Sequence, residues 1–367
     1  MSCNFIENKI QVFNPANSKV LKEIPITTEK EFLNIVESAE KTKGYWNFNK
    51  PKYRKNVIKK FRKAIINRLD DFIATICSET GKKYFEGMLE IYTSVEHMKH
   101  AEKLLPILFK KHKRSVGTLI TKKAWTELEP MGVAGIISPW NYPLILTLTP
   151  VVEALAAGNV VILKPSEHTP LTTELLKQVW DESTGENSVF QIIYGSGDLG
   201  SMLVNSLKVD IICFTGSTKI GKIIAMDCAK NLKPVILELG GKDPMLVFED
   251  ADIDRAVNAA IWGGMSNAGQ TCISVERIFV QEDIKDIFIK KITTKIKSLS
   301  AGNDVNCHLG SISIENGLKK IKNQLQNLES NSEIFKGIAT DEQGFFYPPT
   351  VVVNPNEDSS LMKEETF

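Results

Sequence analysis

The stretch GVAGIISPWNYPLILTLTPVVEALAAGNVVIL, Gly132–Leu163, decides the fold, because it carries no lysine or arginine and two architectures compete for it. A membrane span needs about 20 uninterrupted apolar residues. Here Pro139, Pro143 and Pro150, with Asn141 and Glu153, break the run. They divide it into strand, turn, helix and strand, since proline ends or kinks regular structure. A buried α/β core accounts for those breaks.

The same rhythm continues downstream. NVVILKP, SVFQIIY, VDIICFTG and PVILELGG read as strands. LTTELLKQVWDEST, Asp198–Ser206 and TKIGKIIAMDCAKN read as the helices between them. Short apolar strands alternating with helices predict an α/β fold with a doubly wound parallel sheet covered on both faces. Such sheets bind ligands beyond the carboxyl ends of their strands. Upstream, apolar residues at helical spacing predict helices over Lys30–Trp46, Arg54–Cys77 and Met88–Phe109. Gly117–Pro130 alternates and predicts an exposed extended segment or hairpin. A second α/β unit begins near Asp243, with PMLVFED and SVERIFV as strands and DIDRAVNAAIWGGMS between them as a helix. Further helices are expected over Asp283–Lys297 and Gly317–Leu328, then the strand-like YPPTVVV.

With 367 residues and a net charge of +1, the composition is that of a globular protein with room for two cores. It offers no electrostatic case for nucleic acid. Two basic stretches, Lys50–Arg68 and Phe109–Ser115, read as solvated helix faces. The N-terminus shows no secretory signal. Six scattered cysteines without a C-x-x-C pair fit a reducing compartment, with neither a disulfide framework nor a metal site. A cytoplasmic location with no membrane partner is expected.

Cys272 closes the small polar run NAGQTC at a helix-to-strand junction. On that segment alone the thiol reads as a buried filler, the commoner role, or as a nucleophile. Other chemistry sits at the expected carboxyl ends of strands: Asn141 in SPWNYP, Lys164 and Glu167 in LKPSEHTP, Glu238 in LELGGKDP. In FTGSTKIG, Gly216 permits a sharp turn, Ser217 or Thr218 caps a helix, and Gly221 allows close packing. Free N–H groups at such a helix start favour phosphate, although a plain capped connection reads equally well. YGSGDLG contains Gly195, Gly197 and Gly200 in a literal G-x-G-x-x-G. The carboxylate that a dinucleotide fingerprint wants roughly 20 positions later is missing, so this string is read as a decoy.

Together these motifs resemble the aldehyde dehydrogenase superfamily. The likeness runs from FNPAN (Phe13–Asn17) through SETGK, EPMGVAGIISPWNYP, ALAAGNVVILKPSEHTP, FTGSTKIGK, LELGGKDP and NAGQTC to FYPPTVV and KEETF. It implies a Rossmann-like cofactor domain over 1–241, with an oligomerisation hairpin at 117–130, and a catalytic domain over 242–367. It also implies that Cys272 attacks an aldehyde, that Asn141 and the Cys272 backbone N–H hold the oxyanion, and that Glu238 is the base that hydrolyses the thioester. A base at Glu238 favours release of a free acid over transfer to coenzyme A. The cofactor positions implied are Ser138, Trp140, Lys164, Ser166, Glu167, Gly216, Ser217, Gly221, Leu239, Glu365 and Phe367. A carboxylate at Glu167 accepts from a ribose 2′-hydroxyl and repels a 2′-phosphate, so NAD is expected over NADP. None of the five histidines lies in a protease-like motif, which counts against a Cys–His hydrolase.

Family members continue past the KEETF motif, where this sequence ends at Phe367. A C-terminally truncated catalytic domain is therefore expected, and with it two functional classes: an aldehyde-oxidising enzyme acting on a small-molecule aldehyde, or an impaired remnant of one. Homo-oligomers are usual in the family and doubtful for a shortened chain.

Overall fold

The computed structural model describes residues 3–48, 50–326, 328, 332–341 and 343–367. The chain packs as two units, one of Pro25–Phe72 with Met88–Glu238, the other of Met1–Ile24 with Ile73–Gly87 and Leu239–Phe367. One division between the units falls at Glu238–Leu239. Met1–Ile24 and Ile73–Gly87, expected in the cofactor-binding part, group with the C-terminal residues instead.

The unit holding Met88–Glu238 is built on a five-stranded sheet. Its strands are β1 (Val133–Ile137), β2 (Val160–Lys164), β3 (Phe190–Ile192), β4 (Ile211–Gly216) and β5 (Val235–Leu239), in the spatial order β5-β4-β1-β2-β3. β1 is parallel to β2 and to β4, and β2 to β3. Every residue of β2 and the first four of β1 are buried. Burial on both faces makes these strands continuous apolar runs, with none of the alternation of a half-exposed strand. Helices α1 (Ile145–Ala157), α2 (Pro170–Thr184), α3 (Gly197–Asn205) and α4 (Thr218–Lys230) join successive strands. From β1 the chain moves outward to β2 and β3, then returns to β4 on the other side of β1. The strand order therefore reverses between β1 and β4, where doubly wound sheets leave a crevice.

The helix ends follow local chemistry. α1 and α2 stop at Gly158 (φ 99°) and Gly185 (φ 72°), left-handed positions that glycine takes without strain. The last carbonyls of α1 are buried and need donors. Trp46 Nε1 bonds the Leu155 carbonyl and Arg54 Nε the Ala156 carbonyl, each at 2.9 Å. Both donors come from the helices Glu29–Phe48 and Pro51–Asn67. Phe61, Trp180 and Phe190 pack edge-on, with centroids 5.0 and 5.9 Å apart.

Several expectations are corrected. Arg54–Cys77 is two helices, Pro51–Asn67 and Leu69–Thr80, joined at Arg68. Neither glycine nor proline marks the break, and each helix buries one apolar face, so the spacing runs on across it. The helix expected from Met88 begins a turn earlier and spans Tyr84–Leu108. The basic stretch Phe109–Ser115 is not a helix face: His112–Arg114 is an exposed strand, antiparallel to Ala124–Thr126, with Lys113 opposite Trp125. Solvated charges look alike on either element. The hairpin thus begins before Gly117.

The unit of Leu239–Phe367 carries β6 (Asp243–Val247) parallel to β7 (Val275–Val280), with α5 (Ile253–Met265) and α6 (Lys285–Ser298) packed on them. Val247, Val257, Phe288, Ile292 and Ile296 form its core. The helix expected to Leu328 is Glu315–Gln326, and residue 327 lies outside the described residues. A three-stranded sheet, Cys3–Ile6, Lys9–Phe13 and Val20–Pro25, was not anticipated. Ile73–Gly87 is tied in by Ser313 Oγ donating to the Thr80 carbonyl (2.8 Å) and Lys83 Nζ to the Gly302 and Asp304 carbonyls (both 2.7 Å). Among the described residues no helix is long and apolar enough to cross a membrane.

Candidate functional site

The carboxyl edge of the five-stranded sheet gathers most of the residues singled out in the sequence. After β1 comes Ser138-Pro139-Trp140-Asn141, whose Ser138 N–H donates to the Lys164 carbonyl at 3.1 Å. Thr147 of α1 donates to Ser138 Oγ at 2.8 Å, pinning the loop to the helix that follows. Asn141 is buried and Trp140 half-buried. α1 has no capping side chain of its own. Glu90 Oε1, from the helix Tyr84–Leu108, accepts from the N–H groups of Leu144 (2.7 Å) and Ile145 (3.1 Å) instead. A carboxylate is well placed at a helix start, where the donors and the dipole both favour negative charge.

β2 delivers Lys164, buried to 4% exposure, whose ammonium bonds the Pro165 carbonyl (3.1 Å) and Glu167 Oε2 (3.4 Å). Burial pushes the Glu167 carboxyl up, but the Lys164 charge and its own backbone N–H outweigh that and hold it below its ordinary value. Ser166 Oγ accepts from His168 N–H at 3.3 Å. Gly200 of α3 lies against the Lys164 stem, where an added Cβ would stand 3.4 Å from Lys164 Cδ. β4 ends at Gly216, where a Cβ would come within 2.5 Å of the Phe214 ring. Ser217 then caps α4, accepting from Ile220 N–H at 3.4 Å, and Gly221 is buried one turn on. An exposed helix start and a Lys–carboxylate pair suit a phosphate and a ribose diol respectively. These residues fit a dinucleotide on the chemistry of their donors and acceptors.

The decoy reading of YGSGDLG has a structural counterpart. Gly195 makes room for Leu199, whose side chain would lie 3.0 Å from an added Cβ. At the start of α3 the Asp198 carboxylate accepts from Ser196 Oγ at 3.2 Å. A fixed negative charge at that helix start opposes phosphate.

Glu238 is exposed at the carboxyl end of β5, the edge strand, and Leu239 beside it is half-buried. Burial, then the carboxylates of Glu153 and Glu238, push the Cys213 thiol of β4 up to about 11. Cys213 is half-buried, and this upward shift favours its protonated thiol near neutrality.

Cys272 lies in the other unit, on a turn whose backbone is under strain. Asn267 (φ 53°), Ala268 (φ 55°) and Gly269 (φ 81°) are successively left-handed. For an L-residue with a side chain that conformation costs about 1–2 kcal/mol. It persists because surrounding bonds over-determine it. Glu86 Oε1 accepts from Asn267 N–H at 2.7 Å, and Asn267 Nδ2 donates to the Gln270 carbonyl at 3.0 Å. Gln270 Nε2 returns a bond to the Asn267 carbonyl (2.9 Å), while its Oε1 accepts from Ser313 N–H (2.8 Å). Ser274 Oγ donates to the Gly263 carbonyl at 3.1 Å. Asn267, Gln270 and Ser274 are all buried. The turn leaves Cys272 half-buried, where its own N–H and that of Ile273 favour the thiolate. Burial pushes the thiol up; those two N–H groups pull it down, and the Glu365 and Asp243 carboxylates raise it, for a net upward shift.

Glu365 reaches this neighbourhood because Gly240 has no side chain, since a Cβ there would stand 2.3 Å from Glu365 Oε1. Its carboxyl is pushed up by burial. The next residue is stapled: Thr366 N–H donates to Glu276 Oε2 (2.8 Å) and Lys242 Nζ to Thr366 Oγ1 (2.9 Å), with Lys242 and Glu276 themselves paired. Phe367 is half-buried. Sequence reasoning did not single out Glu86, Glu90, Ser313 or Glu276. The signal for the first two is their four-residue spacing on one helix face just after SETGK.

The chain is also similar to known proteins. The family model described as the aldehyde dehydrogenase family matches residues 4–367. A probable succinate-semialdehyde dehydrogenase [NADP(+)] of Sinorhizobium fredii is 32% identical, over 98% of this chain and 74% of its own length. D-glyceraldehyde dehydrogenase (NADP(+)) of Picrophilus torridus is 31% identical over the same shares. The crystal structure of an E. coli NADP dependent enzyme superposes with a TM-score of 0.94 at 29% identity, covering 98% of this chain and 75% of that one.

Proposed function

The chain belongs to the aldehyde dehydrogenase family, and from that premise we propose that it oxidises an aldehyde to a carboxylic acid by way of a thioester on Cys272. The Cys272 thiolate adds to the carbonyl carbon, forming a C–S bond and placing the carbonyl electron pair on oxygen. The side-chain N–H of Asn141 and the backbone N–H of Cys272 receive that oxyanion. Losing one such donor typically costs on the order of 10²–10³ in rate. A bound nicotinamide dinucleotide supplies the hydride acceptor. Glu238 then takes a proton from water, which attacks the thioester, and the C–S bond breaks to release the acid. A base in this position favours hydrolysis over transfer to coenzyme A.

The observation that carries this reading is the strained turn at Asn267–Gly269 just before Cys272, held by the buried side chains of Asn267 and Gln270. A filler cysteine has no need of strained backbone held by buried polar side chains.

The dinucleotide is held by Ser138, Trp140, Lys164, Ser166, Glu167, Gly216, Ser217, Gly221 and Leu239, with Glu365 and Phe367 toward the nicotinamide. NAD is preferred over NADP, because the Glu167 carboxylate, kept ionised beside Lys164, repels a 2′-phosphate. The relatives whose names carry NADP(+) make this the sharpest point to test. Their names also give two different aldehydes at nearly equal identity, so likeness alone does not choose the substrate.

The test is an aldehyde panel that includes succinate semialdehyde and D-glyceraldehyde, read by formation of reduced cofactor. Cys272→Ser should abolish turnover. Glu238→Gln should leave a hydroxylamine-sensitive thioester that accumulates. Unchanged turnover in the serine variant removes Cys272 from the chemistry.

A further inference from the structure

Glu86 precedes Cys272 by about half of the chain, yet its carboxylate meets the nucleophile's turn directly. Its Oε1 accepts from Asn267 N–H at 2.7 Å, and its Oε2 accepts from Lys83 N–H at 3.0 Å. The second bond caps the helix Tyr84–Leu108 at its first turn. The first bond lands on the residue that opens the left-handed run, Asn267 at φ 53°. One side chain therefore ties the strained turn to the end of a long helix. Local bonds at the turn are made by Asn267, Gln270, Thr271 and Ser274, and the Ser313 backbone adds another.

We propose that Glu86 is a positioning residue for the nucleophile: by holding Asn267 N–H it keeps the turn left-handed and so fixes where Cys272 presents its sulfur. The inference rests on Cys272 being the reactive thiol, but its consequence is conformational and does not require turnover. Remove the carboxylate and Asn267 and Ala268 relax toward ordinary backbone conformations. The thiol then gains water. Burial is the largest influence on that thiol, ahead of the Cys272 and Ile273 N–H groups and the Glu365 and Asp243 carboxylates. Release from the turn should thus bring its titration down toward the ordinary range.

The experiment is site-resolved iodoacetamide labelling of the full chain across pH, with peptide mass spectrometry reporting each cysteine. Glu86→Ala should lower the Cys272 labelling midpoint by about one pH unit, raising the rate near neutrality about tenfold. Amide exchange across residues 267–273 should accelerate alongside it. Buried Cys228 and Cys307 should stay protected. Glu86→Gln, whose amide oxygen still accepts from Asn267 N–H, should keep the wild-type profile. If the alanine variant does not fold, Glu86→Asp keeps the charge at the helix start but stops one methylene short of Asn267, and should show the same labelling change. An unmoved Cys272 midpoint with unchanged exchange would overturn the proposal. So would parallel deprotection of Cys228 and Cys307, which would make Glu86 a contributor to general stability only. A chain that oxidises no aldehyde but shows the labelling shift would refute the proposed activity and leave the role of Glu86 standing.

Discussion

At the scale of single residues the chemistry turns on how a thiol is kept and released. A thiol pushed upward is mostly protonated near neutrality, and the thiolate is the reactive form. Labelling of Cys272 in the unaltered protein should therefore climb about tenfold per pH unit through neutrality and level off only above the ordinary thiol range. Glu365 contributes a nearby negative charge that opposes ionisation. Glu365→Gln should move the labelling midpoint down, and a midpoint that stays put would mean the carboxylate does not act at the sulfur. The identity of Cys272 as the residue to watch is legible in NAGQTC. Its environment is not, because no local pattern announces three consecutive left-handed residues or a glutamate arriving from Glu86.

At the scale of elements, one helix recurs. Tyr84–Leu108 supplies Glu86 to the nucleophile's turn and, four residues on, Glu90 to the start of α1, just after Asn141. Glu90 is buried at 2% exposure, and its oxygen serves two N–H groups that α1 leaves uncapped. Glu90→Ala should destabilise the fold by about 2 kcal/mol, since buried donors are left without a partner. It should also lower kcat more than it raises KM, because the loop carrying Asn141 loosens. Chemical denaturation together with steady-state kinetics checks both, and an unaltered kcat would confine Glu90 to stability. The sheet elements were legible for a plain reason. β1 and β2 are buried on both faces, and only a run such as VVILK between turn residues satisfies that. Elements at the surface were harder. Cys3–Ile6 and His112–Arg114 are short strands with exposed charges or mixed character, and their sequences carry no strong period. The Arg68 break was hidden because both flanking helices keep the same apolar spacing.

At the scale of the molecule, order along the chain is what made the family recognisable, since several motifs in sequence, among them SPWNYP, LKPSEHTP, FTGSTKIG and LELGG, close strands of one sheet. The grouping of Ile73–Gly87 with Leu239–Phe367 escaped the sequence because it depends on bonds between residues far apart along the chain, such as Ser313 Oγ to the Thr80 carbonyl. Cofactor choice belongs to this scale too. Glu167→Ser should raise kcat/KM with NADP relative to NAD by at least tenfold by removing a charge from the 2′-phosphate's position. An unchanged ratio would place the discrimination elsewhere. The central claim, a thioester on Cys272, is tested most directly by quenching the protein during turnover of an aldehyde with NAD and mapping the adduct by peptide mass spectrometry. The account predicts an acyl mass on the Cys272 peptide that is enriched in Glu238→Gln and missing in Cys272→Ala, with cofactor reduction lost in the latter. Cofactor reduction that persists in Cys272→Ala, or an acyl mass on a different cysteine, would contradict it.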